Sequence, residues 1–259
     1  MALFFDRPTC PRLLVSFRSL AEVVSVPLAA IDIVDLKEPR NGPLGAVAIN
    51  VVREVRDFLG TDRQLSVALG ELISVDPTNW QRDLAAVDYA KIGLSGMRNK
   101  KGWKRLLMSA FECLPNFTTP VAVAYADDDM AGSPSPESIL EFAIGRGVRV
   151  FLLDTFVKNG RSLFHYLTPQ RILTLRETSV QAGVEFALAG SINLACLNEA
   201  IGVRPDIIGI RGAVTTGERD AAVDPEKVSQ FREEIEAHHL AIAISPTAAI
   251  LQEEILDRQ

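Results

Sequence analysis

The sequence is poor in the residues that build several common kinds of site. It has three cysteines, Cys10, Cys113 and Cys196, and three histidines, His165, His238 and His239. The cysteines are odd in number, far apart and without metal-ligand spacing, which argues against a disulfide framework and for a reducing compartment, the cytoplasm. No metal site is expected, and no Ser/His/Asp order suggests a hydrolase. His165 reads as a packing residue, and His238 and His239 as exposed positions late in a polar helix. No apolar run reaches the roughly 18 residues that crossing a bilayer needs. The opening "MALFFDRPTCPR" has an early acid and prolines where a signal peptide would have an apolar stretch. The segment "SFRSLAEVV" lacks the glycine-rich phosphate loop of a doubly wound nucleotide-binding sheet. Basic residues are in the minority, 27 against 33 acidic, for a net charge of −6. That excludes a nucleic-acid surface or an anionic membrane as partner, though a few lysines in a pocket can still bind a small anion.

What is present in quantity is short apolar segments. Hydrophobic residues make up 47% of the 259, enough for a sizeable core. Eight runs stand out: "LLVSF" (13–17), "AIDIVDL" (30–36), "QLSVALG" (64–70), "YAKIGL" (89–94), "PVAVAYAD" (120–127), "RVFLLDTF" (149–156), "EFALAGS" (185–191) and "DIIGIRG" (206–212). Most are continuous rather than alternating, as in parallel strands buried on both faces. Helical patterns fall between them. Residues 46–60 place Val47, Val51, Val55 and Phe58 on one stripe, with Gly60 as the stop. Residues 103–114 do the same with Leu106, Leu107, Ala110 and Leu114. Three more helices open on a cap followed by proline: Ser135–Pro136, Thr168–Pro169 and Asp224–Pro225. Eight strand–helix units without a linker predict an α/β chain folded as one (β/α)₈ TIM barrel, about residues 13–239. A C-terminal extension of about residues 240–259 has apolar residues that need cover, on the barrel or on a second copy in a homo-oligomer.

In such a barrel the active site lies where the strands end. Those ends are polar here. The second gives Asp35 and Lys37, two apart and so facing the same way. Lys91 sits inside the fourth strand, where desolvation or a second ammonium would lower its pKa and make it a nucleophile for a carbonyl. The sixth ends in Asp154 and Lys158. Three lysines with two carboxylates could supply nucleophile, general acid and general base. Structural alternatives stand beside this: an Asp35–Lys37 ion pair, a snorkelling or salt-bridged Lys91, and solvated loop acids for Asp128 and Asp129. Asp154 follows three apolar residues and needs a partner, Lys158 or Lys37. At the seventh and eighth ends, Gly190 and Ser191, then Arg211, Gly212 and Ala213, put small residues where backbone N–H groups can meet a phosphate, although glycines there can also serve only to turn the chain. Asp127, at the end of the fifth strand, is placed with these substrate-side residues.

The segments "DIVDLKEPRNGPLGA", "YAKIGLSG", "LLDTFVKNGRSLFHYL", "ALAGSI" and "GIRGA" together resemble the motifs of the (5-formylfuran-3-yl)methyl phosphate synthase family, in the same order from about residue 13 to about residue 235. The resemblance implies a (β/α)₈ barrel that condenses two molecules of glyceraldehyde 3-phosphate, with loss of phosphate and water, in methanofuran biosynthesis. It implies Lys37 as the Schiff-base lysine and Lys91 as a proton carrier, with Asp35, Asp154 and Lys158 in the same pocket and Gly190 and Gly212 in the phosphate-side loops. It implies no cofactor, because no net redox step occurs. The chain departs from the pattern at Glu71, where an aspartate is expected, and at Pro43, where serine is common. Two other functions fit the residues without the motifs: a Schiff-base aldolase for another sugar phosphate, or a non-catalytic barrel that binds a phosphorylated metabolite.

Overall fold

The computed structural model describes residues 10–244. Eight parallel strands close into a barrel in sequence order: β1 (Arg12–Phe17), β2 (Ile33–Leu36), β3 (Gln64–Glu71), β4 (Tyr89–Gly93), β5 (Thr119–Tyr125), β6 (Val150–Asp154), β7 (Glu185–Leu188) and β8 (Ile207–Ile210). β8 pairs with β1 and completes the ring. The eight apolar runs are these eight strands. Each strand alternates between two cores. Leu13, Val15 and Phe17 face the helices, as do Val34 and Leu36. Ile33, Ala68, Val121, Val123, Val150, Leu152, Ala187 and Ile207 fill the barrel interior. Both faces are apolar, which is why the strand sequences read as continuous runs.

The helices are α1 (Leu20–Val24), α2 (Ile49–Leu59), α3 (Trp80–Asp83), α4 (Trp103–Glu112), α5 (Asp128–Ala131), α6 (Pro136–Arg146), α7 (Pro169–Gln181), α8 (Leu197–Gly202) and α9 (Pro225–Ile244). The Ser135 and Thr168 hydroxyls cap α6 and α7, accepting from Ser138 N and Arg171 N, with proline following each cap. Asp224 does the same for α9, accepting from Glu226 N at 2.9 Å. Both predicted stripes are buried in part: Val55 of the first, and Leu107, Ala110 and Leu114 of the second. In α2 the buried residues are Val52, Val55 and Leu59, while Phe58 is 48% exposed. In α4 they are Leu107, Ala110 and Phe111, while Leu106 is 47% exposed. Each helix offers apolar residues on two adjacent faces, and docking on the sheet selects one. α9 runs to Ile244, so the predicted extension begins inside this helix. Its packing on the barrel or on a second copy concerns residues beyond 244, outside the described ones. Among the described residues no helix is long and apolar enough to cross a membrane.

The N-terminal end of the barrel is tied off by its own polar groups. Asp32, Asp88 and Asp206 stand just before β2, β4 and β8, and each takes a backbone N–H from the strand before it (Leu13, Leu65 and Phe186, all at 2.7 Å). Arg12 bonds Glu185 at 2.8 Å and Gln64 at 3.1 Å, and Gln64 in turn bonds the Tyr89 hydroxyl at 3.1 Å.

Candidate active site

The opposite end holds an open cavity of about 290 Å³. Lys37, Lys91, Asp154 and Lys158 line it, with Gly190, Ser191, Gly212 and Ala213 on the β7–β8 side. The strand period of two places these side chains. Lys37 N–H donates to Phe17 O at 3.0 Å, which extends the β1–β2 ladder one residue past β2. Ile33, Asp35 and Lys37 therefore all point inward. Beyond Lys37 the chain turns sharply: Glu38 N donates to Gly45 O at 2.8 Å, and a Cβ on Gly45 would collide with the Glu38 carbonyl.

Asp35 is not the partner of Lys37. Its carboxylate accepts from Lys91 Nζ at 2.5 Å and from Ser16 Oγ at 2.8 Å, and the residue is wholly buried. Barrel closure brings β4 across to β2 in a way the local sequence does not reveal. A second pair lies opposite. Lys158 Nζ meets Asp154 Oδ1 at 2.6 Å and Thr155 Oγ1 at 3.1 Å, and Thr155 N donates to the same Asp154 oxygen at 2.7 Å. Asp154 Oδ2 is left without a protein donor among the described residues. Burial pushes the Asp154 carboxyl up, but Lys158, Lys37 and the Thr155 N–H outweigh it and hold it below the usual range. Burial lowers the Lys158 amine against the pull of Asp154.

Lys37 lies between the two pairs and, among the described residues, its Nζ has no protein hydrogen bond. Burial removes water from its ammonium; the Asp154 carboxylate opposes that effect and Lys158 reinforces it. The outcome is a pKa lowered from 10.5 to about 7. The amine without a partner is thus Lys37, while Lys91, where the residues alone had suggested the nucleophile, is salt-bridged to Asp35. A lysine with pKa near 7 is about half free base at neutral pH, and that fraction is able to attack a carbonyl.

The side chains of two residues expected on the substrate side bond to protein instead. Asp127 uses both oxygens on backbone, accepting from Phe156 N at 2.6 Å and Val157 N at 2.8 Å, so it shapes the loop that carries Lys158 and does not line the cavity. Arg211 borders the cavity, but its guanidinium is spent on the protein: Glu22, Ser16 O, Arg219 O and Ala221 O take all five of its N–H donors. Gly190 does what a glycine is needed for. It has φ +94°, and a Cβ there would crowd Thr155 N at 3.1 Å, beside the Asp154 carboxylate. Ser191 follows at φ +56°, an uncommon conformation for a residue with a Cβ and one found at ligand sites. Asp128 and Asp129, read as solvated acids, both pair with Arg98.

Sequence reasoning passed over two features and left a third, Glu71, unexplained. Ser66 lines the cavity with a buried hydroxyl that has no partner among the described residues. Arg219 lines the mouth from the loop after β8, in the polar stretch "TTGERDAAVD", where nothing local distinguishes it from a surface residue. Glu71, the departure at the end of β3, has a structural reason: it accepts from the Tyr125 hydroxyl at 2.5 Å and from Ser95 N at 2.8 Å. A Cβ on Gly93 would strike both the Glu71 carboxylate and the Tyr125 hydroxyl, so β4 needs glycine at that point. Among the described residues no group of three or more His, Cys, Asp or Glu is placed to hold a metal ion.

The chain resembles known proteins in sequence and in fold. The family model described as 4-HFC-P synthase matches residues 13–232. The chain is similar to the (5-formylfuran-3-yl)methyl phosphate synthase of Methanopyrus kandleri, 32% identical over 210 residues that cover 78% of this chain and 89% of that protein. It is similar to the protein of the same name from Methanosarcina acetivorans, 30% identical over 85% of this chain and 97% of that one. Among solved structures, 3-hexulose-6-phosphate synthase from Salmonella typhimurium shares the fold with a TM-score of 0.63 at 13% identity, covering 88% of this chain and all of that one.

Proposed function

The chain belongs to the 4-HFC-P synthase family, and from that premise we propose that it joins two molecules of glyceraldehyde 3-phosphate into (5-formylfuran-3-yl)methyl phosphate through a Schiff base on Lys37. Atom balance then requires loss of one phosphate and two waters, with no net oxidation or reduction and hence no cofactor. The observation that carries this reading is Lys37 itself: a buried amine with pKa about 7 and no protein partner, set between two lysine–aspartate pairs.

The parts follow from the chemistry. The Lys37 amine adds to the aldehyde carbon, and loss of water gives an iminium. The iminium draws electrons from the adjacent C–H bond. Removal of that proton gives an enamine. Expulsion of the phosphate ester one carbon further on breaks the C–O bond, and the phosphate leaves with the electron pair. An enamine carbon can also add to the carbonyl of the second triose, and dehydration and ring closure give the furan. Each of these steps moves a proton. Lys91 and Lys158 each have a carboxylate to return it to, which suits them to carry protons rather than to attack. Asp154 Oδ2, with no donor of its own, is the base nearest to this task. Hydrolysis of the iminium frees the aldehyde product and restores Lys37. The methanofuran pathway is the context the family name suggests.

Incubation with glyceraldehyde 3-phosphate alone tests the reading. The expected result is a furan ultraviolet absorption that rises with inorganic phosphate in a one-to-one ratio. Cleavage or condensation products formed without phosphate release would point instead to an aldolase for another sugar phosphate. Absence of turnover would point to a binding protein.

A further inference from the structure

The loop between β8 and α9 aims one more cation at the cavity. Around it, arginines are paired: Arg18 with Glu38 at 3.0 Å, Arg40 with Asp220 at 3.2 Å and Arg211 with Glu22 at 3.0 Å. Arg219 is not. It lines the cavity with Lys37, Asp154 and Lys158, is half-buried, and among the described residues its guanidinium makes neither a hydrogen bond nor an ion pair with protein.

Its backbone, by contrast, is fixed on both sides. Arg211 Nε donates to Arg219 O at 2.7 Å and Arg211 Nη2 to Ala221 O at 3.1 Å. Arg18 Nη1 donates to Asp220 O at 2.6 Å, and Thr215 bridges to Val223 below. A guanidinium has five donors and no acceptor, and holding one partly dry without an acceptor costs free energy. Asp154 acts on it electrostatically, but its Oδ1 is taken by Lys158 and no hydrogen bond or ion pair joins it to Arg219. A fixed loop that ends in a free fork of donors is built for an incoming anion with several oxygens, and guanidinium matches a phosphate in two-pronged geometry.

We propose that Arg219 is the phosphate-gripping residue of this site, holding the phosphomonoester of a substrate whose carbonyl reaches Lys37, across from the backbone at Gly190 and Gly212. The proposal deepens the function proposed above and rests on it for the carbonyl half of the ligand. The phosphate half can be tested separately, with inorganic phosphate and glycerol 3-phosphate as probes and calorimetric titration as the readout. Wild type binds both, and Arg219→Ala weakens binding about 10- to 100-fold, the range for a lost hydrogen bond to a charged group. Arg219→Lys, which keeps the charge without the fork, falls between. In turnover the KM for glyceraldehyde 3-phosphate rises by a similar factor. The loss of borohydride-trapped adduct on Lys37 is larger with glyceraldehyde 3-phosphate than with unphosphorylated glyceraldehyde. The side chain has no hydrogen-bond or ion-pair partner among the described residues, so the thermal midpoint of each variant should match wild type, and that is checked first. No phosphate binding by wild type, or equal affinity and KM in Arg219→Ala, would overturn the proposal. Arg219-dependent phosphate binding without furan formation would uphold the anion site and sink the synthase reading; furan formation with an unchanged KM in Arg219→Ala would do the reverse.

Discussion

The two ends of this barrel are made of the same residue types and treat them oppositely. At the N-terminal end charged and polar groups find one another: Arg12 bonds Glu185 and Gln64, and three aspartates cap the strand beside them. At the C-terminal end the cavity holds an amine, a guanidinium and the Ser66 hydroxyl that have no hydrogen-bond partner among the described residues. Buried groups left unsatisfied cost stability, so a fold keeps them only where something else uses them. One end ties the strands together, and the other holds reactive groups in place ready for substrate.

Substitutions can break that contrast, beginning with the largest effect. Lys37→Met should lower kcat by at least about 10⁴-fold, as expected for loss of a covalent nucleophile. Because it replaces a desolvated amine with an apolar chain of similar length, its thermal midpoint should equal or exceed that of wild type. Lys91→Met should behave differently on both counts. Kinetics should show a fall of about 10²- to 10⁴-fold, typical of a lost proton carrier. Denaturation should show a loss of about 3–5 kcal/mol, because Asp35 is left as a buried, unpaired charge. Arg12→Met, at the other end, should cost about 1–3 kcal/mol of stability through the groups it leaves unbonded, with kcat and KM within about twofold of wild type because it lies at the opposite end of the barrel from Lys37 and reaches the cavity only through the Tyr89 hydroxyl, at 3.4 Å.

The smallest effect concerns pH. Lys37 titrates at about 7 in the folded chain and at 10.5 unfolded. The unfolded chain therefore holds the extra proton between those values, and stability from this residue rises with pH across that window. The stability advantage of Lys37→Met over wild type should accordingly be greatest at and below pH 7 and fade towards 10.5. In activity the same titration has the opposite reading: kcat/KM should climb as pH rises through about 7 and then level off as the amine becomes free base.

Much of this contrast was legible in the sequence, for reasons that are local. Parallel strands buried on both faces announce themselves as apolar runs, and a charged residue inside one, such as Lys91 or Asp154, stands out by its cost. Proline after Ser135 or Thr168 fixes a helix start through its own backbone geometry. Pairings set by closure of the barrel were not legible. Asp35 lies two residues from Lys37 but bonds Lys91, 56 positions away. Nothing within either segment decides which lysine is left without a partner. The same holds for the arginines after β8. Arg211 sits in the motif and is consumed by Glu22 and three carbonyls, while Arg219, in an unremarkable polar loop, faces the cavity. The resemblance to a family pointed to Lys37 where local physics had favoured Lys91. The physical reason for Lys37 appears only once both aspartates are seen to be engaged with other lysines.

The most direct test of the covalent role of Lys37 is borohydride reduction in the presence of glyceraldehyde 3-phosphate, followed by peptide mass spectrometry. The expected result is a stable adduct on the peptide that carries Lys37, formed in wild type and absent from Lys37→Met. An adduct on Lys91 or Lys158 instead, or no adduct while the enzyme turns over, would contradict it.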